Sequence, residues 1–127
     1  MIKKYEVEDI VKIQRMDDHI EDHFPCDKGE WVQWLISKVD HPRFLIIGNE
    51  TSYLVASNNV MRPVSDTIGI IFFHSKTPFE ENIKIRDWVN EWALECGTRK
   101  VRFITKNLEV LKKYGAKEFG IYGGWDI

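Results

Sequence analysis

The sequence has few cysteines, no excess of positive charge and no long apolar run. Its two cysteines, Cys26 and Cys96, lie far apart and in no metal-site spacing, so we expect two reduced, partly buried thiols. A net charge of −2 provides no basic field to attract nucleic acid. No apolar run is long enough to span a bilayer, and the N-terminus lacks the apolar segment of a signal peptide. We therefore expect a cytoplasmic (intracellular) protein with no nucleic-acid partner and no membrane contact.

The size and composition of the chain favour one globular domain. A chain of 127 residues, 43% hydrophobic and 30% charged, can bury a substantial core but is too short for two ordinary domains. We expect a single domain over residues 1–127. Sixteen residues are aromatic and five of these are tryptophan, so we expect most of them in the core.

Apolar periodicity and turn signals predict helices placed between strands. The predicted strands are Ile2–Val7, Phe44–Ile47, Thr51–Ser57, Thr67–Phe73, Val101–Thr105 and Phe119–Trp125. Four helices are predicted. The first begins at Glu8, the second follows an N-cap at Asp27, the third begins at Pro78 and the fourth lies near Leu108. The helix from Pro78 ends near Cys96, with Gly97 as its C-cap. This order implies an α/β or α+β domain with a parallel strand pair around the long helix.

The continuous apolar run from Ile70 to Phe73 indicates burial on both faces, and therefore a central strand. His74 to Pro78 is interpreted as a short loop that follows this strand. The long helix then shows a wide apolar face. That face contains Ile85, Trp88, Val89, Trp92, Ala93 and Cys96.

This order of elements, over nearly the whole chain, resembles the GNAT superfamily of N-acetyltransferases. Residues 93–103 look like the family's helix end and following strand, and residues 111–119 look like its short helix and last hairpin. The resemblance implies an acyl-CoA N-acyltransferase-like fold, with a mixed, mostly antiparallel central sheet and helices on both faces. It also implies acetyl-CoA as the acyl donor, no metal, and an amine acceptor that is either a small molecule or a protein.

The family's Gly-rich coenzyme loop has no counterpart in this sequence. The family pattern Q/R-x-x-G-x-G/A falls on residues 77–82, which read Thr-Pro-Phe-Glu-Glu-Asn. Thr77, Pro78 and Glu80 have the spacing of a capping box with proline at the first helical position, so the helix end is predicted to be satisfied by its own side chains. Glu80 and Glu81 would repel a pyrophosphate. We therefore predict a degraded phosphate-binding loop, similar to that of some phage-encoded relatives.

The resemblance places the candidate site on the strand before this loop. In the family, the backbone of this strand hydrogen-bonds the acyl-pantetheine arm, and Phe72, Phe73 and His74 match that position. His74 has a pKa range suited to a general base acting on an amine, so it is the candidate catalytic residue; the alternative is a solvent-facing loop histidine. Where many members carry a tyrosine general acid, this chain has Leu111. Tyr114 is interpreted as a packing residue.

Three other groups of residues leave alternatives open. His19 and His23, within the acidic segment 17–23, could bind a divalent metal, attract a cationic acceptor, or form a solvated acidic face. The basic residues near position 100 could meet coenzyme phosphates or an anionic partner, or form the wet face of a strand. These residues are Arg99, Lys100 and Arg102. Four tryptophans are expected in core packing rather than in a stacking platform for nucleic acid. They are Trp31, Trp34, Trp88 and Trp92.

Two functions from different classes therefore remain. One is an acyl-CoA-dependent N-acetyltransferase with an atypical phosphate site, in which His74 or a water deprotonates the amine. The other is a non-catalytic GNAT-fold binding or assembly module with a protein partner or a second copy of the chain. Trp125, near the end of the chain, is a weak indication of a homodimer contact.

Overall fold

A computed structural model of the chain describes residues 1–17, 27–58, 67–76, 79–103, 117–119 and 122–127. The strands are β1 (Lys3–Lys4), β2 (Phe44–Gly48), β3 (Ser52–Ser57), β4 (Thr67–Ser75), β5 (Lys100–Phe103), β6 (Lys117–Phe119) and β7 (Tyr122–Asp126). The helices are α1 (Val7–Val11), α2 (Ile13–Met16), α3 (Lys28–Lys38) and α4 (Phe79–Glu95). None of these helices is long and apolar enough to cross a membrane.

The strands form one sheet in the order β1-β2-β3-β4-β5-β7-β6. Every neighbouring pair is antiparallel except β4 and β5, which are parallel. A parallel pair needs a crossover connection, and the long helix α4 lies in that connection. The mixed, mostly antiparallel sheet and the central position of β4 confirm the fold predicted from the sequence.

The two faces of the sheet carry separate cores, as the prediction of helices on both faces requires. On one face, α4 packs through Ile85, Val89 and Ala93 against residues of the sheet such as Leu54 and Ile68. On the other face, the three N-terminal helices cover a second cluster. It contains Tyr5, Ile10, Ile13, Trp31, Val32, Leu35, Val39, Ile46, Tyr53 and Val55.

Local signals set the ends of two helices. The Asp27 side chain accepts a hydrogen bond of 2.8 Å from the Glu30 amide, which is the predicted N-cap of α3. Gly97 follows α4 with φ of 83°, a left-handed conformation that favours glycine. Both predictions are confirmed.

Four predictions need correction. The first strand is confined to Lys3–Lys4, because Glu6 already caps α1 in a capping box with Asp9. The predicted last strand is a hairpin of two strands, since the chain reverses and Phe119 pairs with Tyr122. The predicted loop at His74 and Ser75 is strand, because β3 continues alongside it.

The fourth correction concerns the thiols. Cys96 is exposed, because it lies in the turn after α4, beyond the last buried position of that helix, Ala93. Cys26 lies outside the described residues, as does the predicted helix near Leu108.

Candidate active site

Strand β4 is irregular at its middle. Val55 of β3 pairs with Phe72, whereas the next residue, Ala56, pairs with Ile70, so Ile71 is an extra residue on β4. Ile71 and Phe72, although consecutive, both pack on the side of α1–α3. Two consecutive side chains on one face are the mark of a β-bulge, which bends a strand and redirects the residues that follow.

The bulge coincides with a change in the neighbours of β4. Pairing with β5 runs from Thr67 to Ile70, and Ile70 pairs with Phe103, the last described residue of β5. Pairing with β3 continues through Ser75. The segment 71–75 therefore runs along β3, past the last described pair with β5.

His74 lies in this segment and faces the side of α1–α3. Its side chain is 12% exposed, and its Nδ1 lies 3.7 Å from Oδ1 of Asp17, whose side chain is fully buried. That separation fits an ion pair and exceeds hydrogen-bond range. The alternative of a solvent-facing loop histidine is therefore wrong, because the strand and the N-terminal helices enclose the ring.

A hydrogen-bonded chain leads from α3 to Asp17. Trp31 donates from Nε1 to the Tyr53 hydroxyl at 3.1 Å, and Tyr53 donates to Oδ2 of Asp17 at 3.2 Å. Burial raises the pKa of the Tyr53 phenol, and the nearby Asp17 carboxylate raises it further. The Tyr53 hydroxyl therefore stays protonated and remains a hydrogen-bond donor to the carboxylate.

Phe72 and Phe73 fix the backbone before His74 from opposite faces. Phe72 packs edge-on against Trp31, with ring centroids 5.7 Å apart, and against Tyr53 at 5.3 Å. Phe73 packs on the other face against the core beneath α4. The backbone of this segment is thus held by side chains on both sides of the sheet.

The architecture matches solved acetyltransferases over almost its whole length. A ribosomal-protein-alanine N-acetyltransferase from Brucella melitensis is 11% identical, with a TM-score of 0.72 over 100% of this chain and 99% of that chain. YncA from Salmonella typhimurium, solved with its cofactor acetyl-CoA, is 12% identical, with a TM-score of 0.71 over 99% and 92%. An acetyltransferase of the GNAT family from Streptococcus pneumoniae is 12% identical, with a TM-score of 0.65 over 98% and 95%.

This chain has the GNAT fold. At these identities the likeness shows the fold alone. In comparisons by sequence, no family model and no curated protein matches the chain. The GNAT resemblance is thus confirmed for the fold, and the irregular β4 is the strand on which that resemblance placed the coenzyme.

Arg102 is engaged inside the GNAT sheet. Its guanidinium lies 2.9 Å from the Asp126 carboxylate and donates to the Trp125 carbonyl at 3.0 Å and to the Val101 carbonyl at 2.9 Å. These contacts attach β5 to β7. Arg99 and Lys100 are exposed, which is consistent with the solvent-exposed face of a strand.

The tryptophans pack mainly within the chain, as predicted. Trp31 is buried and stacks on Trp34, with ring centroids 5.4 Å apart, while Trp88 and Trp92 pack half-buried against the core under α4. Trp125 is 6% exposed and donates from Nε1 to Asn90 at 2.8 Å. Its ring lies within the chain, so the indication of a homodimer contact at Trp125 is not supported.

A surface cavity of about 210 Å³ lies away from His74, between β2 and the C-terminal half of α4. Its lining includes Leu45, Trp88, Glu91, Trp92 and Glu95. It shares none of the residues that surround His74, so we assign it no part in the candidate site.

Several predicted features lie outside the described residues. They are His19, His23, Leu111, Tyr114 and two members of the predicted capping box, Thr77 and Pro78. Within the described part of the chain, no group of three or more histidine, cysteine or carboxylate side chains could hold a metal ion.

Reasoning from sequence missed Asp17, Tyr53 and Trp31 as members of the site. The sequence shows Asp17 only as part of an acidic segment, yet its side chain is fully buried at the end of α2. Strand alternation shows that Tyr53 shares a face with Val55, but it does not show what that face meets. Only the packing of α2 and α3 on β3 brings these residues together.

Proposed function

We propose that this chain is an acyl-CoA-dependent N-acetyltransferase that acts on an amine. The observation that carries the proposal is the bulge at Ile71, which lies where β4 passes its last described pair with β5. A GNAT fold with a bent central strand at this point has a suitable place for an acyl donor. His74 follows three residues later, so a basic side chain lies close to that place.

The residues present fit the donor's pantetheine arm better than its phosphates. An extended arm with amide groups can be held by the main chain of a strand, in the manner of an added β-strand. The backbone of Phe72, Phe73 and His74 is suited to this, because side chains on both faces fix its position. By contrast, residues 77–82 offer no glycine and include two carboxylates. We therefore expect the arm to contribute more of the affinity than the phosphates do.

The bound donor would supply a thioester carbonyl carbon that an amine can attack. In the transfer a C–N bond forms, the C–S bond breaks, and one proton moves from nitrogen to sulfur. His74 is proposed to accept that proton from the amine and to return it to the departing sulfur, so the ring ends unchanged. Held close to the reacting atoms, it would act as an intramolecular base.

Binding of acetyl-CoA is the first test. A ligand at 100 times its Kd should stabilise the protein by about 2.7 kcal/mol, which a thermal shift detects. S-acetyl-pantetheine, which lacks the nucleotide phosphates, should compete with acetyl-CoA if the arm dominates binding. The acceptor class would then be identified by testing a panel of small amines and of peptides with a free N-terminus, with the release of free thiol as the measure of transfer.

Two variants separate binding from chemistry. His74→Gln should bind acetyl-CoA like the wild type but lose most of the transfer rate, on the order of 10²-fold or more, because a general base contributes that much. His41→Gln, the same change at an exposed histidine away from this segment, should keep both. If millimolar acetyl-CoA gives no thermal shift and no transfer, the enzyme proposal fails.

Such a failure would favour the alternative, a non-catalytic GNAT-fold module. The absence of the glycine pattern in residues 77–82 is the observation that favours it. It predicts a stable protein partner, or a second copy of this chain, whose interface covers the segment 71–75. Cross-linking from a photoreactive residue at position 76, which is exposed, would detect such an interface.

A further inference from the structure

We propose that Asp17 is a positioning residue for His74, and that Tyr53 and Trp31 hold its carboxylate in place. The inference rests on the proposed function, because it assigns the means by which the proposed base is oriented. It concerns residues from four separate elements, namely Asp17 at the end of α2, Tyr53 in β3, Trp31 in α3 and His74 in β4.

The two oxygens of Asp17 have different neighbours. Oδ2 accepts the hydrogen bond from Tyr53 at 3.2 Å, and Oδ1 lies 3.7 Å from Nδ1 of His74. The Asp17 backbone N–H donates to the Ile13 carbonyl at 2.9 Å, which ties the residue to α2. Asp17 is therefore held through its main chain and through Oδ2, and its Oδ1 lies on the side of the imidazole.

Tyr53 cannot easily release this carboxylate. Its hydroxyl accepts from Trp31, so its own hydrogen is directed to Asp17. Burial also raises the pKa of the phenol, which keeps that hydrogen in place. The Trp31 ring is itself wedged between Trp34 and Phe72, so the whole chain of contacts is packed.

This arrangement selects one form of the His74 ring. At 3.7 Å the Asp17 carboxylate acts on Nδ1 through its charge, which favours hydrogen on that nitrogen and leaves Nε2 as the atom that accepts a proton. Once Nε2 is protonated, the imidazolium lies beside an anion that stabilises it. The titratable groups that face the ring include Asp17, from the end of α2, and Tyr53, from β3, whose ring centroid lies 5.9 Å from that of His74.

Stability alone gives little reason to bury these groups. Apolar side chains of similar volume stabilise a core as well as a buried ion pair does, or better. Most other side chains in the core on this face of the sheet are apolar, with Ile10, Ile13 and Leu35 all fully buried. A carboxylate in that place is better explained by its effect on His74.

The first experiment uses the wild-type protein alone. Two-dimensional ¹⁵N NMR of the histidine rings, at a pH where His74 is neutral, should show hydrogen on Nδ1 and none on Nε2. A neutral ring with its hydrogen on Nε2 would overturn the proposal. This measurement requires neither acetyl-CoA nor a variant, so it stands apart from the proposed function.

The second experiment compares Asp17→Asn with the wild type. Removal of the anion should lower the pH at which His74 titrates by about 1–3 units, while exposed His41 serves as an internal control and does not change. If acetyl transfer is observed, the acid limb of its pH profile should move in the same direction, with little change in the KM for acetyl-CoA. Asp17→Glu should recover part of the shift.

The outcomes separate the two proposals. A folded Asp17→Asn protein in which His74 titrates as in the wild type refutes the positioning role, whatever the activity. If the pH at which His74 titrates is lower in Asp17→Asn but acetyl-CoA does not bind, the positioning role of Asp17 stands and the proposed function fails. If Asp17→Asn does not fold, the ring tautomer of the wild type decides alone.

Discussion

The hydroxyl of Tyr53 donates to the buried carboxylate of Asp17, and this hydrogen bond links the sheet to the end of α2. Tyr53 is itself fully buried. A second tyrosine, Tyr5, donates to the carbonyls of Asn49 and Ser52, at 2.5 and 3.1 Å, on the same side of the sheet. Both phenols are thus neutral donors in places where an ionised oxygen would be costly.

Because these two phenols are buried, we predict that the free energy of unfolding falls at alkaline pH. In the unfolded chain a tyrosine ionises near pH 10. Burial raises the pKa of both Tyr5 and Tyr53 in the folded protein. Their contribution to stability is therefore complete below about pH 10 and is lost as the pH rises above it.

Urea unfolding at a series of pH values tests this. The free energy of unfolding of the wild type should fall steeply above about pH 10, and that of the double variant Tyr5→Phe, Tyr53→Phe should fall less. The double variant should be less stable than the wild type at neutral pH, because Asp17 and two carbonyls lose a donor. Equal slopes for the two proteins above that pH would contradict the prediction.

Gly48 ends β2 where Tyr5 approaches the sheet. A Cβ at this position would lie 2.2 Å from the Ser52 carbonyl oxygen and 2.8 Å from the Tyr5 hydroxyl. Because the first of these atoms is backbone, Gly48→Ala should destabilise the protein by ~1–3 kcal/mol, as overpacking does.

Gly29→Ala is the matched control. Among the described residues, the neighbour that a Cβ added at Gly29 would meet is Oδ1 of Asp27, the end of a side chain, at 3.3 Å in the first turn of α3. Alanine favours a helix over glycine by up to ~1 kcal/mol, so this variant should be unchanged or more stable. The steric explanation is wrong if chemical denaturation finds the two variants equally stable.

Much of the fold could be predicted because its signals are local. The Asp27 cap and the apolar face of α4 are properties of short segments, and both are found where the sequence indicates them, except that the face ends before Cys96. The extent of β4 could not be predicted in this way. The apolar run ends at Phe73, yet the strand continues because Ser75 pairs with Ser52, with a hydrogen bond of 3.0 Å between their hydroxyls.

The site was only partly predictable for the same reason. Alignment with a family position identifies His74, but its buried partner is Asp17, which is far from it in the sequence. The bulge at Ile71 depends on the register between β3 and β4. Register is a property of two strands together, and the pattern of one strand does not contain it.

Arg102 is expected to stabilise the C-terminal strand. Its guanidinium reaches Asp126 and the Trp125 carbonyl at the same time, a fork that lysine cannot reproduce. Arg102→Lys should therefore lower the free energy of unfolding by ~0.5–1.5 kcal/mol. Arg99→Lys, the same change at an exposed side chain, should stay within ~0.5 kcal/mol. Thermal unfolding of both variants checks this, and a loss at Arg99 as large as that at Arg102 would argue against the fork.

Deletion of Ile71 tests the connection between the shape of β4 and acyl-donor binding. Without this residue Phe72 would follow Ile70 directly, and the strand would pair with β3 in regular alternation. Phe73 and His74 would remain on their present faces of the sheet, so the protein should fold with a strand that no longer bends.

We expect circular dichroism close to that of the wild type, together with the loss of the thermal shift by acetyl-CoA. Ile71→Val, which keeps the bulge, should retain the shift. If the deletion variant is folded and still binds acetyl-CoA, the bulge is not what forms the site, and the backbone assignment of Phe72 to His74 would have to be abandoned.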